Sequence, residues 1–315
     1  MATTATTCSD VQLVCLSTTL VVTSADNHDH SHEHSHERLR FLSYVETQHE
    51  VSLVFEEQLL AKFPQGALEF EPLRWKALQV ASAGTGAFLS QLAVLTQLTT
   101  ELAKHGISVF QISTYQSDYV LVKVEDLDAA IGCLQSFCSI EMESGEELRV
   151  AGNPVEVHQH PLSVPDVKLH LVQLNRTFVR RHLYSLVELL FKPTQLEEER
   201  FLSYSETGDD ISVVTSDENF LDEARALMEQ GDQGVLVSPD FWRPVQIGNT
   251  KLGFAETGIV AGQTRVLVNA GTTVFYLSTY ATDFMLIKED EWDDALPILR
   301  DHFRLTEGAF EPLTA

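Results

Sequence analysis

One block of this chain occurs twice. Arg40-Phe41-Leu42-Ser43-Tyr44-Val45-Glu46-Thr47 returns as Arg200-Phe201-Leu202-Ser203-Tyr204-Ser205-Glu206-Thr207, with seven of eight positions identical. A second block, Ser113-Thr114-Tyr115-Gln116-Ser117-Asp118, returns as Ser278-Thr279-Tyr280-Ala281-Thr282-Asp283. The displacements are 160 and 165 residues. Solenoid and propeller repeats run roughly 20–50 residues, so here whole domains are duplicated. Duplication implies two similar halves related by approximate symmetry. It also implies an interface between equivalent surfaces, where a small molecule can sit.

A chain of 315 residues holds two to four small domains, and 44% apolar content is that of an ordinary soluble globular protein. No apolar run approaches the roughly 20 residues needed to span a bilayer. The start, Met1 to Thr7, has no basic region of the kind that opens a signal peptide, so a cytoplasmic location is expected. Cys8, Cys15, Cys133 and Cys138 form no C-x-x-C pair and are too few for a disulfide scaffold. The net charge of −25 repels phosphate backbones and anionic membranes, which argues against nucleic-acid and membrane partners. It suits cationic ligands or basic partners, although solubility alone also accounts for it.

Val11 to Leu16 reads as a buried strand after a disordered stretch at 1–10. Arg40 to Tyr44 and Glu50 to Phe55 read as two strands joined by a polar turn, matched later by Phe201 to Ser205 and Ile211 to Thr215. Phe88, Leu92, Leu95, Leu98 and Leu102 recur at spacings of one helix face, and His105-Gly106 reads as the C-terminal cap. Strands at 107–113 and 119–124 and a helix at 126–137 follow. The second half repeats this order, with a helix at 178–191, strands at 273–279 and 284–288 and a helix at 291–303. The sum is an α+β class of four ferredoxin-like βαββαβ units in two duplicated halves. The first unit is degenerate, because a histidine run stands where its first helix belongs.

That run, His28, His30, His32, His34 and His36, is low in complexity and reads as a solvated loop with at most weak metal binding. The sequence has no G-x-S-x-G, P-loop or dinucleotide fingerprint, so neither an enzyme nor a cofactor is expected. The informative place is where the copies stop matching. Opposite the regular helix of the first copy, the second carries Leu252-Gly253-Phe254-Ala255-Glu256-Thr257-Gly258-Ile259-Val260. Glycines let backbone N–H groups face a ligand, and a helix beginning near Gly258 presents its amides to a carboxylate. Glu256 can take an α-ammonium, and Asp283 a guanidinium or ammonium. The alternative is a glycine-rich turn with solvated acids. Asp118, the match of Asp283, raises the further alternative of a shared turn cap.

With these motifs the chain resembles the CASTOR family. Its members are cytosolic arginine sensors of the target-of-rapamycin pathway, built of four ACT domains. The likeness covers most of residues 10–305, and it is most specific at the glycine segment and the two Ser-Thr-Tyr blocks. It implies ACT-like units at 11–72 (histidine-rich loop 28–36), 73–142, 166–240 and 241–307, a linker at 143–165 and a tail at 308–315. It further implies L-arginine held between the second and fourth units. Ser108 and Val109 would contact its backbone end, beside Gly253, Glu256, Thr257, Gly258 and Ile259. Thr279, Tyr280 and Asp283 would meet the guanidinium. Implied partners are a second copy of the chain and a GATOR-type complex. Two other readings stay open: an ACT regulator of a biosynthetic enzyme that reads another amino acid such as lysine, and a ligand-free scaffold.

Overall fold

A computed structural model describes residues 12–16, 18–25, 41–80, 88–135, 138–142, 160–192, 200–208, 210–249, 251–268, 270–308 and 310. In the first half β1 (Gln12–Cys15) and β2 (Leu20–Ala25) precede the repeat block, which forms β3 (Phe41–Thr47). β4 (Val51–Glu56), β5 (Glu69–Phe70) and β6 (Trp75–Val80) follow, then α1 (Phe88–Lys104), β7 (Val109–Ser113), β8 (Asp118–Lys123), α2 (Leu127–Leu134) and β9 (Ser139–Met142). The second half opens with β10 (Leu162–Pro165), β11 (Leu169–Asn175), α3 (Leu183–Phe191) and β12 (Phe201–Thr207), the second copy of the block. It continues through β13 (Asp210–Thr215), α4 (Glu218–Glu229), β14 (Val235–Ile247), α5 (Ile259–Val268), β15 (Val274–Ser278), β16 (Asp283–Lys288), α6 (Trp292–His302) and β17 (Leu305–Gly308).

Local chemistry sets these bounds. α1 buries Leu92, Leu95, Leu98 and Leu102. It stops at Gly106, whose φ of 71° an L side chain rarely adopts, with Gly106 N on Ala103 O (2.9 Å) and Ile107 N on Leu102 O (3.0 Å). α4 starts where Asp217 accepts from Phe220 N at 2.9 Å. The helix expected at 178–191 begins late. Arg176–Arg181 is a 3-10 turn, capped by Asn175 accepting from Thr177 N at 2.9 Å, and the α-helix starts at Leu183.

The two copies of the block pair with each other. β3 and β12 run antiparallel with Tyr44 opposite Tyr204 and Ser43 opposite Ser205, so the central Tyr44 faces its own repeat mate and the flanking pairs are exchanged about it. Strand order continues outward as β14, β11, β13, β12, β3, β4, β2. A second sheet runs β6, β8, β7, β15, β16, β14. β14 belongs to both sheets, and β2 meets β6 where Leu20 lies opposite Trp75, so the pairing closes into a flattened barrel. Its interior is a core that includes Phe41, Phe110, Tyr119, Phe201, Trp242 and Leu277. α1 and α2 cover one end of the second sheet and α5 and α6 the other; α3 and α4 cover the far end of the first sheet.

Pseudo-twofold contacts recur through the molecule. Leu277 pairs with Ile112, and Thr96 Oγ1 donates to Thr264 Oγ1 at 2.8 Å between α1 and α5. Hairpin turns dock across the halves. Tyr115 N donates to Ser212 Oγ at 3.1 Å, and its repeat mate Tyr280 N donates to Ser52 Oγ at 2.8 Å.

Three expectations change. β1 lies between β6 and β9, in the sheet of the second unit rather than the first. The end of the expected linker is a strand: β10 pairs β14 and β17 in the same way that β1 pairs β6 and β9. Apolar strands such as Leu162-Ser163-Val164 gain ladder bonds on both sides that a linker would lack. The expected tail is also anchored, because Phe310 is 3% exposed and packs on Phe201 and Phe284 at centroid distances of 6.3 and 6.0 Å. The stretch 1–10 and the histidine loop 28–36 lie outside the described residues. Phe310→Ala removes a core ring from between the sheets. It should destabilise by about 3 kcal/mol; a denaturant titration showing less than about 0.5 kcal/mol would mean that the ring is not part of the core.

Candidate functional site

The glycine segment, the start of β7 and the β15–β16 turn converge. The turn is closed by Thr279 N to Thr282 O (2.8 Å) and Thr282 N to Thr279 Oγ1 (3.1 Å). The glycine segment hangs on it through Leu252 N to Ala281 O at 2.7 Å. The segment then turns at Glu256 N to Gly253 O (3.0 Å) and enters α5 through Gly258, whose φ is 76°. Phe254 anchors it by edge contacts of 5.5 Å with both Trp75 and Tyr280. Ser108 of the first half donates its hydroxyl to Phe254 O at 2.7 Å. This bond ties the two halves at the place where the repeat is broken.

Every expected site residue can be placed. Ser108, Thr279, Tyr280 and Asp283 are buried, Thr257 is at the edge of burial, and Gly253 is exposed. Val109 and Ile259 pack as partly buried apolar side chains between helices and sheet. Glu256 is partly exposed; Gly253 N donates to its Oε1 at 3.4 Å, and His160 Nε2 lies 2.8 Å from its Oε2. The Tyr280 ring carries Lys251 Nζ 4.0 Å from its centroid, and Lys251 pairs with Glu69 at 3.1 Å.

The electrostatics are acidic and buried. Burial pushes the Asp283 carboxyl up to about 7, against hydrogen bonds from Tyr276 and Ser278, and the charges of Glu50 and Glu256 add to the rise. Tyr276 Oη donates to Asp283 Oδ2 at 2.7 Å. Glu50, also raised by burial, reaches from the first half into the second half's turn. It accepts from Ala281 N and Thr282 Oγ1, both at 3.0 Å, and from Thr279 Oγ1. Asp118, the repeat mate of Asp283, is likewise buried and pushed up to about 6. Both halves therefore bury an acid at this turn. The companion acids Glu50 and Glu256 act on Asp283, in the second half's turn.

Sequence reasoning missed Glu50, His160, Tyr276 and Ser278. Ser278 stood inside a repeat block, and Glu50 opened an expected strand; neither carries a local sign of its contact with the other half, 167 residues away for Ser278 and 231 for Glu50. Among the described residues no cluster of three His, Cys, Asp or Glu is arranged to hold a metal. No helix there is long and apolar enough to cross a membrane.

An ACT domain model matches residues 71–136 and 237–301. The chain is 28% identical over 291 residues to the cytosolic arginine sensor for mTORC1 subunit 1 of Rattus norvegicus, covering 84% of this chain and 86% of that one. The Homo sapiens protein of that name matches with the same identity and coverage. The chain is thus similar along most of its length to the cytosolic arginine sensors of that name. Its fold is the ACT type of α+β structure. The two ACT matches fall on the parts carrying α1 with β6 to β8 and α5 with β15 and β16, which flank the site. Among solved structures, an aspartate kinase from Synechocystis matches 98% of this chain and 57% of its own at 12% identity, with a TM-score of 0.35, a likeness too loose to carry an argument.

An acid whose pKa is raised by folding is protonated in the native state and ionised in the unfolded chain between the two values. Asp283 therefore makes stability fall as pH rises from its ordinary 3.8 toward about 7, and level off above. Asp283→Asn removes that slope. Its melting temperature should gain on the wild type steadily between about pH 4 and about pH 7, with little further gain above. A pH-independent gap would contradict the burial of this carboxyl.

Proposed function

We propose that this chain is a non-enzymatic arginine sensor of the cytosol, with L-arginine bridging its two halves. Four ACT-like units, two per half, form the frame, and the ligand lies between the second and fourth. Ser108 and Val109 from one half, with Gly253, Glu256, Thr257, Gly258 and Ile259 from the other, hold the amino-acid end. Free amides at the start of α5 suit its carboxylate, and Glu256 suits its ammonium. Thr279, Tyr280 and Asp283 receive the guanidinium. The observation that carries this reading is the buried Asp283, raised by burial and by Glu50 and Glu256. A cation brought beside it offsets the repulsion among these acids. The relatives' name, cytosolic arginine sensor for mTORC1, supports the same ligand and pathway. Arginine shifts the arrangement of the halves by its differential affinity, and a GATOR-type complex or a second copy of the chain reads that shift.

Calorimetry with arginine and lysine tests the ligand directly. Arginine should bind and Asp283→Ala should abolish binding; binding of lysine alone would point to a different regulator, and no binding to a scaffold. The titration of Asp283 adds a signature. The pairing carboxylate must be ionised, so arginine affinity should rise about tenfold between about pH 6 and about pH 8, with proton release. A flat profile would remove Asp283 from the guanidinium end.

A further inference from the structure

Gln111 on β7 is 1% exposed, and its side-chain oxygen has no hydrogen-bond partner among the described residues. A buried acceptor without a partner is costly to keep, so its place matters. Phe110 and Ile112 point into the core between the sheets, and Val109 packs on the helix side. Alternation along the strand therefore turns Gln111 toward the helices. With Leu277 opposite Ile112, Gln111 lies across from Ser278, and Gln111 N donates to Ser278 Oγ at 3.0 Å. Ser278 pairs in turn with Asp283. Gln111, Ser278 and Asp283 thus form a row across three strands on one face.

The row has the dimensions of a guanidinium seat. Strands two apart stand roughly 9.5 Å from each other, and the residue between them is a serine. Asp283 already accepts from Tyr276 Oη, while the oxygen of Gln111 is unengaged. From above, Gln263 of α5 lies on the stripe carrying Val260 and Leu267, which faces the sheet. It is fully buried, and neither atom of its amide has a partner among the described residues. The repeat mate of Gln111 is Tyr276, so the seat belongs to one half alone.

We infer that Gln111 is a specificity-determining residue of the ligand site, its carbonyl and the Asp283 carboxylate together forming a two-acceptor end that favours a planar guanidinium over an ammonium. This rests on the arginine reading above. A guanidinium spreads five N–H donors in a plane, whereas an ammonium is a compact point charge that one carboxylate satisfies.

The test compares wild type, Gln111→Leu and Gln263→Leu in the full chain, by melting without ligand and by calorimetry with arginine and with lysine. Gln111→Leu should melt higher than wild type, because it removes an unpaired buried acceptor. It should also lose at least about tenfold in arginine affinity and much less in lysine affinity. Wild-type arginine binding with an unchanged arginine-to-lysine ratio in Gln111→Leu would overturn this inference and leave the arginine site standing. Equal destabilisation by both leucine variants would also overturn it, since the two amides would then be pairing with each other. If Gln111→Leu does not fold, Gln111→Met takes its place. No arginine binding by the wild type would remove the arginine reading itself.

Discussion

The antiparallel pairing of the repeat block with its own copy organises this molecule. A strand that pairs with its mate so that Tyr44 faces Tyr204 creates a twofold axis at that point, and one axis fixes the relation of everything attached. The same axis must then relate β7 to β15 and α1 to α5, where Ile112 meets Leu277 and Thr96 meets Thr264. The pairing also buries the free edges of β3 and β12, which would otherwise template association with other chains. Side chains reinforce it: Ser43 and Ser205 lie 3.1 Å apart between their hydroxyls, and Arg200 pairs with Glu46 at 3.2 Å. Because β14 runs through both sheets, the ring closes, and neither sheet can shear without breaking β14 pairing.

Symmetry would ordinarily give two equivalent sites. Here the two turns bind across the halves through matched serines, Ser52 and Ser212, yet the neighbouring acids differ. Glu50 reaches into the second half's turn with three acceptor contacts. Asp210, its repeat mate, is one carbon shorter and accepts from Gln173 at 2.9 Å instead. Position 276 is a tyrosine whose hydroxyl engages Asp283; its mate is Gln111, whose side-chain oxygen has no partner among the described residues. One scaffold thus carries two turns of the same shape and different charge, and the more acidic one lies beneath the glycine segment.

Much of this was legible before any coordinates. The repeat blocks announced strands that obey one geometry, and the leucine spacing of α1 followed the 3.6-residue turn up to Gly106. The break between Leu252 and Gly262 marked the segment that lies over the acids, with α5 starting at Ile259 as its glycine suggested. What was hidden is non-local. β1 and β10 are four-residue strands that read as parts of a unit and a linker, since their partners lie far away in sequence. Phe310 sat in a stretch that looked like a tail, and one aromatic residue has no periodicity to betray its burial. Glu50 looked like a strand start in an acidic chain, and only the docking of a turn from the other half removes it from water.

The acids explain why so acidic a chain would keep a costly arrangement. Burial, with the charges of Glu50 and Glu256 adding to it, raises the cost of ionising Asp283. A site in that condition is poised rather than satisfied. A cation that pairs with Asp283 lets it ionise, so the ligand gains from relieving a cost that the empty fold carries. The relief is available only while Ser108 and the glycine segment remain together, because they close one side of the site from opposite halves. In the proposed reading, ligand affinity and closure of the halves are therefore one equilibrium. The free energy with which a cation binds closed over open is the whole of what a partner could sense.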